Sequence, residues 1–429
     1  MEDFLRFFSF SDPNIRYVVF GSMLLAASSA IVGCFTLLKK KALVGDAVAH
    51  SVLPGVCGAF LFVGNKNIFV LICGAFLTGW LSLLLIDYIS AKSKIKKDTA
   101  IGLVLSVFFG IGIVLLTFIQ QSGNAAQSGL DSFIFGKAAA LVGTDLMLFS
   151  IIAFILLIVV ILFFKELTLV AFDENYAIAL GFPVRKLDMM LTTLTVLAVV
   201  TGITAVGVVL MAAMLITPGA AARYWTNNIR VMVVLAALFG AISGIVGAYI
   251  SYVAPSMPTG PWMVVSSSAI AITSFFLAPK KGILAKWYIN KKNRNIIREE
   301  NTLKIFYHLG EQDRNFEATR SISVLLAKRA IGLSNLKMSL HRLKLKGFLK
   351  PLEGQWMLTS RGVEKAAKVV KLHRLWELYL TNYMKIAADH VHDDAETIEH
   401  IITPELEREL ETLLGYPTSD PHQQEIPRT

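Results

Sequence analysis

Charge is scarce in this sequence. Of its 429 residues only 17% are Asp, Glu, Lys or Arg, against 55% hydrophobic, and the mean hydropathy is +0.60. A soluble globular chain carries roughly 25% charged residues, so an ordinary cytosolic enzyme and a disordered protein are both excluded. Histidine is nearly absent from the first two-thirds: seven of eight lie beyond residue 280, and only His50 precedes it. Cysteine is rare too. Cys34, Cys57 and Cys73 all sit in apolar runs and none belongs to a C-x-x-C pair, which predicts buried small hydrophobes and no disulfide framework. No G-x-x-x-x-G-K-[ST] phosphate loop occurs, so hydrolysis of ATP by that machinery is excluded. The first fifteen residues carry Glu2, Asp3, Arg6, Asp12 and Pro13, a poor match to a cleavable signal peptide.

What is there falls into two parts. Residues 1–279 hold 16 Lys+Arg and 12 Asp+Glu; the remaining third holds 25 and 19. This step predicts a transmembrane domain over 1–279, a basic amphipathic linker over 280–300 and a soluble tail. A bilayer core of roughly 30 Å needs about 20 apolar residues per helix. Suitable runs lie at about 17–38, 44–64, 68–90, 101–120 and 139–164, then at 230–253 and 261–278. The stretch 187–222 is too long for one crossing, and Thr201-Gly202 suggests a break into two. The expected fold is therefore an all-α polytopic domain of about nine transmembrane helices. Lys39–Lys41, the KSKIKK run at 92–97, Arg185-Lys186, Arg223/Arg230 and Lys280-Lys281 follow alternate spans. Nine spans put all of them on one side with the tail, in the cytoplasm by the positive-inside rule; eight would split them. Gly240-x-x-x-Gly244 with Gly247 marks a close-packing helix face, within the chain or between subunits.

Ionisable groups inside spans are costly and few, which makes each a functional candidate. Asp46 and His50, in GDAVAHSVLPG, are four residues apart and share a helical face. A carboxylate and an imidazole so spaced can bind a divalent transition metal. The same spacing also fits a helix-end Asp beside Lys39–Lys41 with a lone interfacial His. Pro54-Gly55 can break the helix and open backbone carbonyls to a pathway. Between the fifth and sixth spans, Glu174, Ala177, Leu180 and Gly181 form a short glycine-closed helix followed by Arg185. It reads either as a docking element for a motor subunit or as an interfacial connector.

The tail reads as α+β. Seven Lys/Arg and Trp287-Tyr288 in residues 280–300 suit a helix at the inner leaflet. Over 301–365 a helix, a helix-turn-helix with its turn at Ile331–Leu333, and a hairpin tipped by Glu353-Gly354 make a winged helix. Lys337, Arg342, Lys344 and Lys346 are possible nucleic-acid contacts there, although a protein-docking module with solvated lysines is favoured. Residues 366–429 hold two helical segments with metal-ligand chemistry. His373 and Glu377 are i, i+4 on the first; His392, Glu396, Glu399 and His400 share one face of the second. Three imidazoles and three carboxylates without sulfur suit manganese, iron, cobalt or zinc.

These motifs carry two resemblances. GDAVAHSVLPG, IALGFP, VLMAAMLITPGAAA and PTGPWMVV, over about 15–283, resemble the permease subunit of the zinc/manganese/iron-uptake class of ABC transporters. The resemblance implies a separate ABC ATPase, an extracytoplasmic metal-binding protein and a second permease, either another copy or a paralogue. It implies that Asp46 and His50 line the metal pathway and that the IALGFP loop docks the ATPase. KLHRLWELYL, VHDDAETIEHIIT and LLGYPTSDPHQQEIP, over about 301–427, resemble the diphtheria-toxin-repressor class of metal-dependent regulators. His373, Glu377, His392, Glu396, Glu399 and His400 match that class's ligand positions, with Glu396 where iron-responsive members carry Cys. Asn301 and Lys304 stand at positions that are acidic in manganese-responsive members, and a protonated lysine cannot coordinate. The expected protein is thus not an enzyme. It is the inner-membrane permease of an importer of manganese, iron or zinc, fused to a cytoplasmic metal-sensing domain. Its alternatives are a membrane-tethered metal-dependent transcription regulator and a channel or proton-coupled carrier.

Overall fold

The computed structural model describes residues 2–64, 67–121, 136, 138, 141–254, 257–328, 332–385 and 403–428. They divide into two compact units, Met1–Lys286 and Trp287–Thr429.

Helices are the only regular elements among the described residues of the first unit. After α1 (Glu2–Phe8), the long helix α2 (Pro13–Leu38) starts where Asp12 accepts a bond from the Asn14 amide at 2.8 Å and Pro13 supplies a pre-set φ. It is followed by α3 (Val44–Ser51), α4 (Leu53–Val63), α5 (Ile68–Lys92), α6 (Lys97–Gln121) and α7 (Gly143–Leu162). The short α8 (Phe164–Phe172) and α9 (Glu174–Ala179) lead to α10 (Val184–Val206), α11 (Val208–Trp225), α12 (Ile229–Val253) and α13 (Thr259–Leu277). Among the described residues eight helical segments, α3 and α4 counted as one, are long and apolar enough to cross a membrane. The 18-residue α11 stands between two of them, as the expected division of 187–222 requires. The break falls at Gly207, not at Thr201-Gly202. Thr201 returns its hydroxyl to the Leu197 carbonyl at 2.6 Å and stays helical, whereas Gly207 takes φ +93°, a conformation that ends the helix.

Helix α2 is the hub of this unit, buried over 72% of its apolar window, and α12 crosses it closely. A Cβ at Gly240 would lie 2.6 Å from the Ala26 carbonyl oxygen, and one at Gly244 2.8 Å from the Ser22 backbone. The small-residue face therefore serves packing within the chain. Ser22 adds a hydrogen bond to the Gly244 carbonyl at 3.2 Å. Large apolar side chains on α5, α6 and α7, such as Leu77, Val114 and Phe154, remain exposed, the surface expected of lipid-facing helices. Cys34 and Cys57 are buried as expected, but Cys73 is exposed on α5. An apolar run does not tell a protein-facing position from a lipid-facing one.

The second unit takes up most of α14 (Ile283–Asp313), which runs without interruption through the sequence read as linker and first domain helix. Then come α15 (Ile322–Lys328), α16 (Leu333–Leu345), β1 (Leu349–Leu352) and β2 (Gln355–Leu358). Leu336, Leu340 and Leu343 of α16, spaced as one helical face, meet Leu303, Phe306 and Leu325 in a core closed by Leu349 and Leu358. Both tip residues of the hairpin, Glu353 and Gly354, have positive φ (50° and 75°), the two-residue turn whose twist suits antiparallel strands. Arg320 pairs with Trp356 as a short third strand, completing the winged helix.

Thr359 caps α17 (Ser360–Met384), and α18 (Pro404–Leu413) is held to it by Lys371, which bonds Glu411 at 2.7 Å and Glu407 at 3.1 Å. At the centre lies Arg374, only 1% exposed. It donates to both Glu311 carboxylate oxygens at 2.8 Å, to Gln424 at 2.7 Å and to the Glu425 carbonyl, so one guanidinium ties α14, α17 and the C-terminal segment. Burial alone would raise the Glu311 carboxyl; bonds from His308 and Arg374 outweigh it and hold it at about 2.

The helix crossing makes a direct prediction. Gly244→Leu should lower the thermal stability of the detergent-solubilised chain by about 1–3 kcal/mol, because the clashing atoms are backbone. Gly102→Ala, whose Cβ would meet nothing within 4 Å, should leave it near wild type.

Candidate functional site

The first candidate site is on α3. His50 Nε2 lies 3.5 Å from Asp46 Oδ1, as the i, i+4 spacing requires. The imidazole is largely covered and packs edge-on against Phe109 of α6, ring centroids 5.1 Å apart. Its Nδ1 is buried and has no hydrogen-bond partner among the described residues. A buried unsatisfied nitrogen is destabilising and calls for an explanation. Of the basic cluster Lys39–Lys41 that offered Asp46 an ordinary partner, Lys39 and Lys41 are turned elsewhere. Lys39 pairs with Asp188 on α10 and lies 3.7 Å from Glu174, while Lys41 lies 3.3 Å from Asp188. Past the pair the helix is interrupted only at Val52, less than the break that Pro54-Gly55 suggested. Pro54 nevertheless has no N–H to offer the His50 carbonyl.

The second candidate is α9 and its surroundings. Asp173 caps it by accepting from the Tyr176 amide at 2.9 Å. Gly181, at φ +82°, closes it: its amide donates to Ile178 and the Phe182 amide to Ala177, a paired arrangement that needs the left-handed residue. The residues picked from the sequence separate into different roles. Ala177 is fully buried against Val170, Val184 and Leu187 and anchors the helix. Leu180 is exposed, Glu174 reaches Lys39, and Arg185 lines a groove. That groove, about 1170 Å³, runs between α9, the start of α10 and the end of α5; Trp80, Tyr88, Glu174, Ile178 and Met189 also line it. Tyr176 and Ile178, both more than half exposed, were not picked. Their signal was apolar side chains alternating with the buried Ala177 in a helix too short to need them for its own packing.

In the second unit, His373 and Glu377 come together on α17, each 2% exposed, with Nε2 3.0 Å from Oε1. Lys304 of α14 is buried beside them, its Nζ 3.3 Å from His373 Nδ1. Imidazole and carboxylate are suitable donors for a divalent ion, but here both ring nitrogens are engaged and an ammonium stands against one of them. His392, Glu396, Glu399 and His400 lie outside the described residues. Among the described residues no group of three or more His, Cys, Asp or Glu could hold a metal. Of the six expected ligands, His373 and Glu377 alone lie among the described residues. Lys337 and Lys344 are exposed on α16, whereas Arg342 and Lys346 turn toward Glu299 of α14.

Comparison with known proteins gives this geometry its context. The chain is 44% identical over 377 residues to the manganese transport system membrane protein MntC of Bacillus subtilis (strain 168), covering 87% of this chain and 86% of that one. It is 41% identical over 291 residues to the zinc transport system membrane protein TroC of Treponema pallidum (strain Nichols), covering 68% of this chain and 97% of TroC. Among solved structures it matches PsaBC from Streptococcus pneumoniae in complex with Fab at TM-score 0.58 and 32% identity, over 65% of this chain and 97% of that one. Residues 359–428 match the iron dependent repressor, metal binding and dimerisation domain. Residues 11–278 match the ABC 3 transport family, and this multi-pass membrane protein with a repressor-like tail belongs to that family.

Proposed function

We propose that the chain is the membrane-spanning permease subunit of an ATP-driven importer of a divalent transition metal, with Asp46 and His50 as the protein ligands the ion meets in transit. The observation that carries this reading is the buried, unpartnered Nδ1 of His50 on the same face as a carboxylate whose nearby lysines are bound to Asp188. A passing cation would take a nitrogen donor from the imidazole and neutralise Asp46 transiently, without the permanent partner that would block a pathway. The His50 carbonyl, which lacks its amide donor because of Pro54, adds an oxygen of the kind such ions accept. Manganese and zinc, named for MntC and TroC, are both compatible with one nitrogen and oxygen donors. The energy would come from a separate ABC ATPase, a metal-binding protein would deliver the ion from outside, and a second permease, a copy or a paralogue, would complete the pathway.

The ATPase would seat on the exposed Tyr176, Ile178 and Leu180 beside the apolar groove. Its movement would reach the ion ligands through Lys39, which touches Glu174 on α9 and Asp188 on α10 at the turn leading from α2 into α3. The tail, on the cytoplasmic side, is proposed as a regulatory domain. TroC aligns over 97% of its length within 291 residues, so transport in that protein has no need of a comparable tail.

Asp46→Ala and His50→Ala should each reduce metal uptake by at least about 10-fold, since loss of even an outer-shell partner costs 10–100-fold. Membrane insertion should be unchanged, because both substitutions make the span more apolar. Uptake at wild-type rates by both variants would remove the pair from the pathway.

Gly181→Pro tests coupling separately. Proline cannot adopt φ +82° and removes the amide bonded to Ile178, while a side chain there meets nothing else within 4 Å. ATPase association, measured by co-purification, and its stimulated turnover should both be lost. Unchanged association and turnover would make α9 a connector only.

A further inference from the structure

The first half of α14 and the helix α16 line a cationic pocket in the second unit. Trp287, Lys291, Arg294 and Arg298 recur at helical spacing and form one stripe of α14. Across the pocket stand Met338 and Arg342, i and i+4 on α16. The cavity measures about 420 Å³ and no Asp or Glu lines it, which leaves room for a small ligand group.

The charge there is uncompensated. Lys291 and Arg294 are i, i+3, Arg294 and Arg298 are i, i+4, and like charges so spaced destabilise a helix. Among the described residues no carboxylate pairs with Lys291, Arg294 or Arg298. Lys291 instead holds its ammonium 4.7 Å from the centre of the Trp287 ring. The acid next in the chain, Glu299, is buried and held by Lys346, with Arg342 3.9 Å away. It leaves the stripe on α14 without a counter-charge.

We infer that this pocket binds a phosphate-bearing anion, either the headgroup of an anionic lipid or a free phosphate compound of similar size. Guanidinium forks match phosphate oxygens in pairs, and three converge here. Asn290 and Asn295, also in the lining, add neutral amide donors. Trp287 and Tyr288, 60% and 66% exposed, are amphipathic rings of the kind that settle among lipid headgroups. In the chain Trp287 follows Leu277, the end of α13, by only ten residues, which favours lipid as the source. A DNA duplex fits less well. These cations converge on one cavity instead of spreading along a groove-length face, and Lys337 and Lys344, the exposed lysines of α16, do not line it. An anion held there would join α14 to α16 through Arg342. The inference rests on the second unit alone, so it and the transport reading can fail separately.

Native mass spectrometry of the full chain in a neutral detergent tests it. The probes are dihexanoyl phosphatidylglycerol and inorganic pyrophosphate, with dihexanoyl phosphatidylcholine as the zwitterionic control. The wild type should bind one of the two anions at least about tenfold more tightly than the control, and Arg294→Gln with Arg298→Gln should weaken that binding at least about tenfold. Both arginines are exposed, so this variant keeps its fold. Lys286→Gln with Lys292→Gln removes the same charge from α14 outside the pocket and should stay within about twofold of wild type. Preference for phosphatidylglycerol assigns the pocket to lipid; preference for pyrophosphate assigns it to a soluble phosphate. Neither anion binding more tightly than phosphatidylcholine would overturn the inference. So would anion binding unaltered by the arginine pair, or weakened equally by both pairs, since that is diffuse charge and not a site. A short DNA duplex that binds more tightly than both probes, and depends on Arg294 and Arg298, would also overturn it by making this a nucleic-acid face.

Discussion

Within a bilayer a polar group has no water to turn to, and this constraint shapes the first unit. Backbone amides and carbonyls are consumed in helices, hydroxyls such as Thr201 and Ser22 return to nearby carbonyls, and helices approach through glycine where they must cross. Against that background buried polar atoms left unsatisfied stand out; among the described residues Ser51 Oγ and Arg223 Nη1 are two, and an imidazole nitrogen is another. His50 keeps that nitrogen next to Asp46, and the lysines that might have quenched the carboxylate are held by Asp188 instead. Leaving these two groups without strong partners is destabilising; the packing of α3 against α5, α6, α10 and α11 offsets it.

On the proposed reading, the same lysines would let a soluble motor act on a site inside the membrane. Lys39 is almost fully covered and touches both the exposed helix α9 and α10. It lies at the end of α2, a few residues before the helix that carries Asp46. Ala177 fixes α9 to α10 from the inside while Tyr176, Ile178 and Leu180 face outward. A helix of six residues cannot be stable by itself, so its capped ends and its anchor make it a rigid handle on the rest of the unit.

Much of this was legible in the sequence because it is local. The apolar runs, the i, i+4 pair, the glycine-closed helix and the Glu353-Gly354 hairpin each follow from spacing and residue type within a few positions. What the sequence hid depends on partners far along the chain. The break at Gly207 was misplaced because Thr201-Gly202 looks equally weak locally, yet Gly202 is where the Met211 side chain approaches α10. Cys73 looked buried because lipid-facing and protein-facing apolar residues read alike. Lys39 and Lys41 appeared as orientation signals, with nothing nearby to announce Asp188 some 150 positions later. Lys304 was visible as a departure from the regulator pattern, but its place against His373 needed the packing of α14 on α17.

The central claim is that this chain moves a metal ion only when an ATPase drives it. The direct measurement is uptake of radioactive manganese and zinc into vesicles containing the chain, with an ABC ATPase of the same class, its metal-binding protein and ATP added back singly and together. The account predicts uptake only when all three are present with the permease, and none with a non-hydrolysable nucleotide. Uptake that proceeds without the ATPase, or that follows a proton gradient in its place, would contradict it.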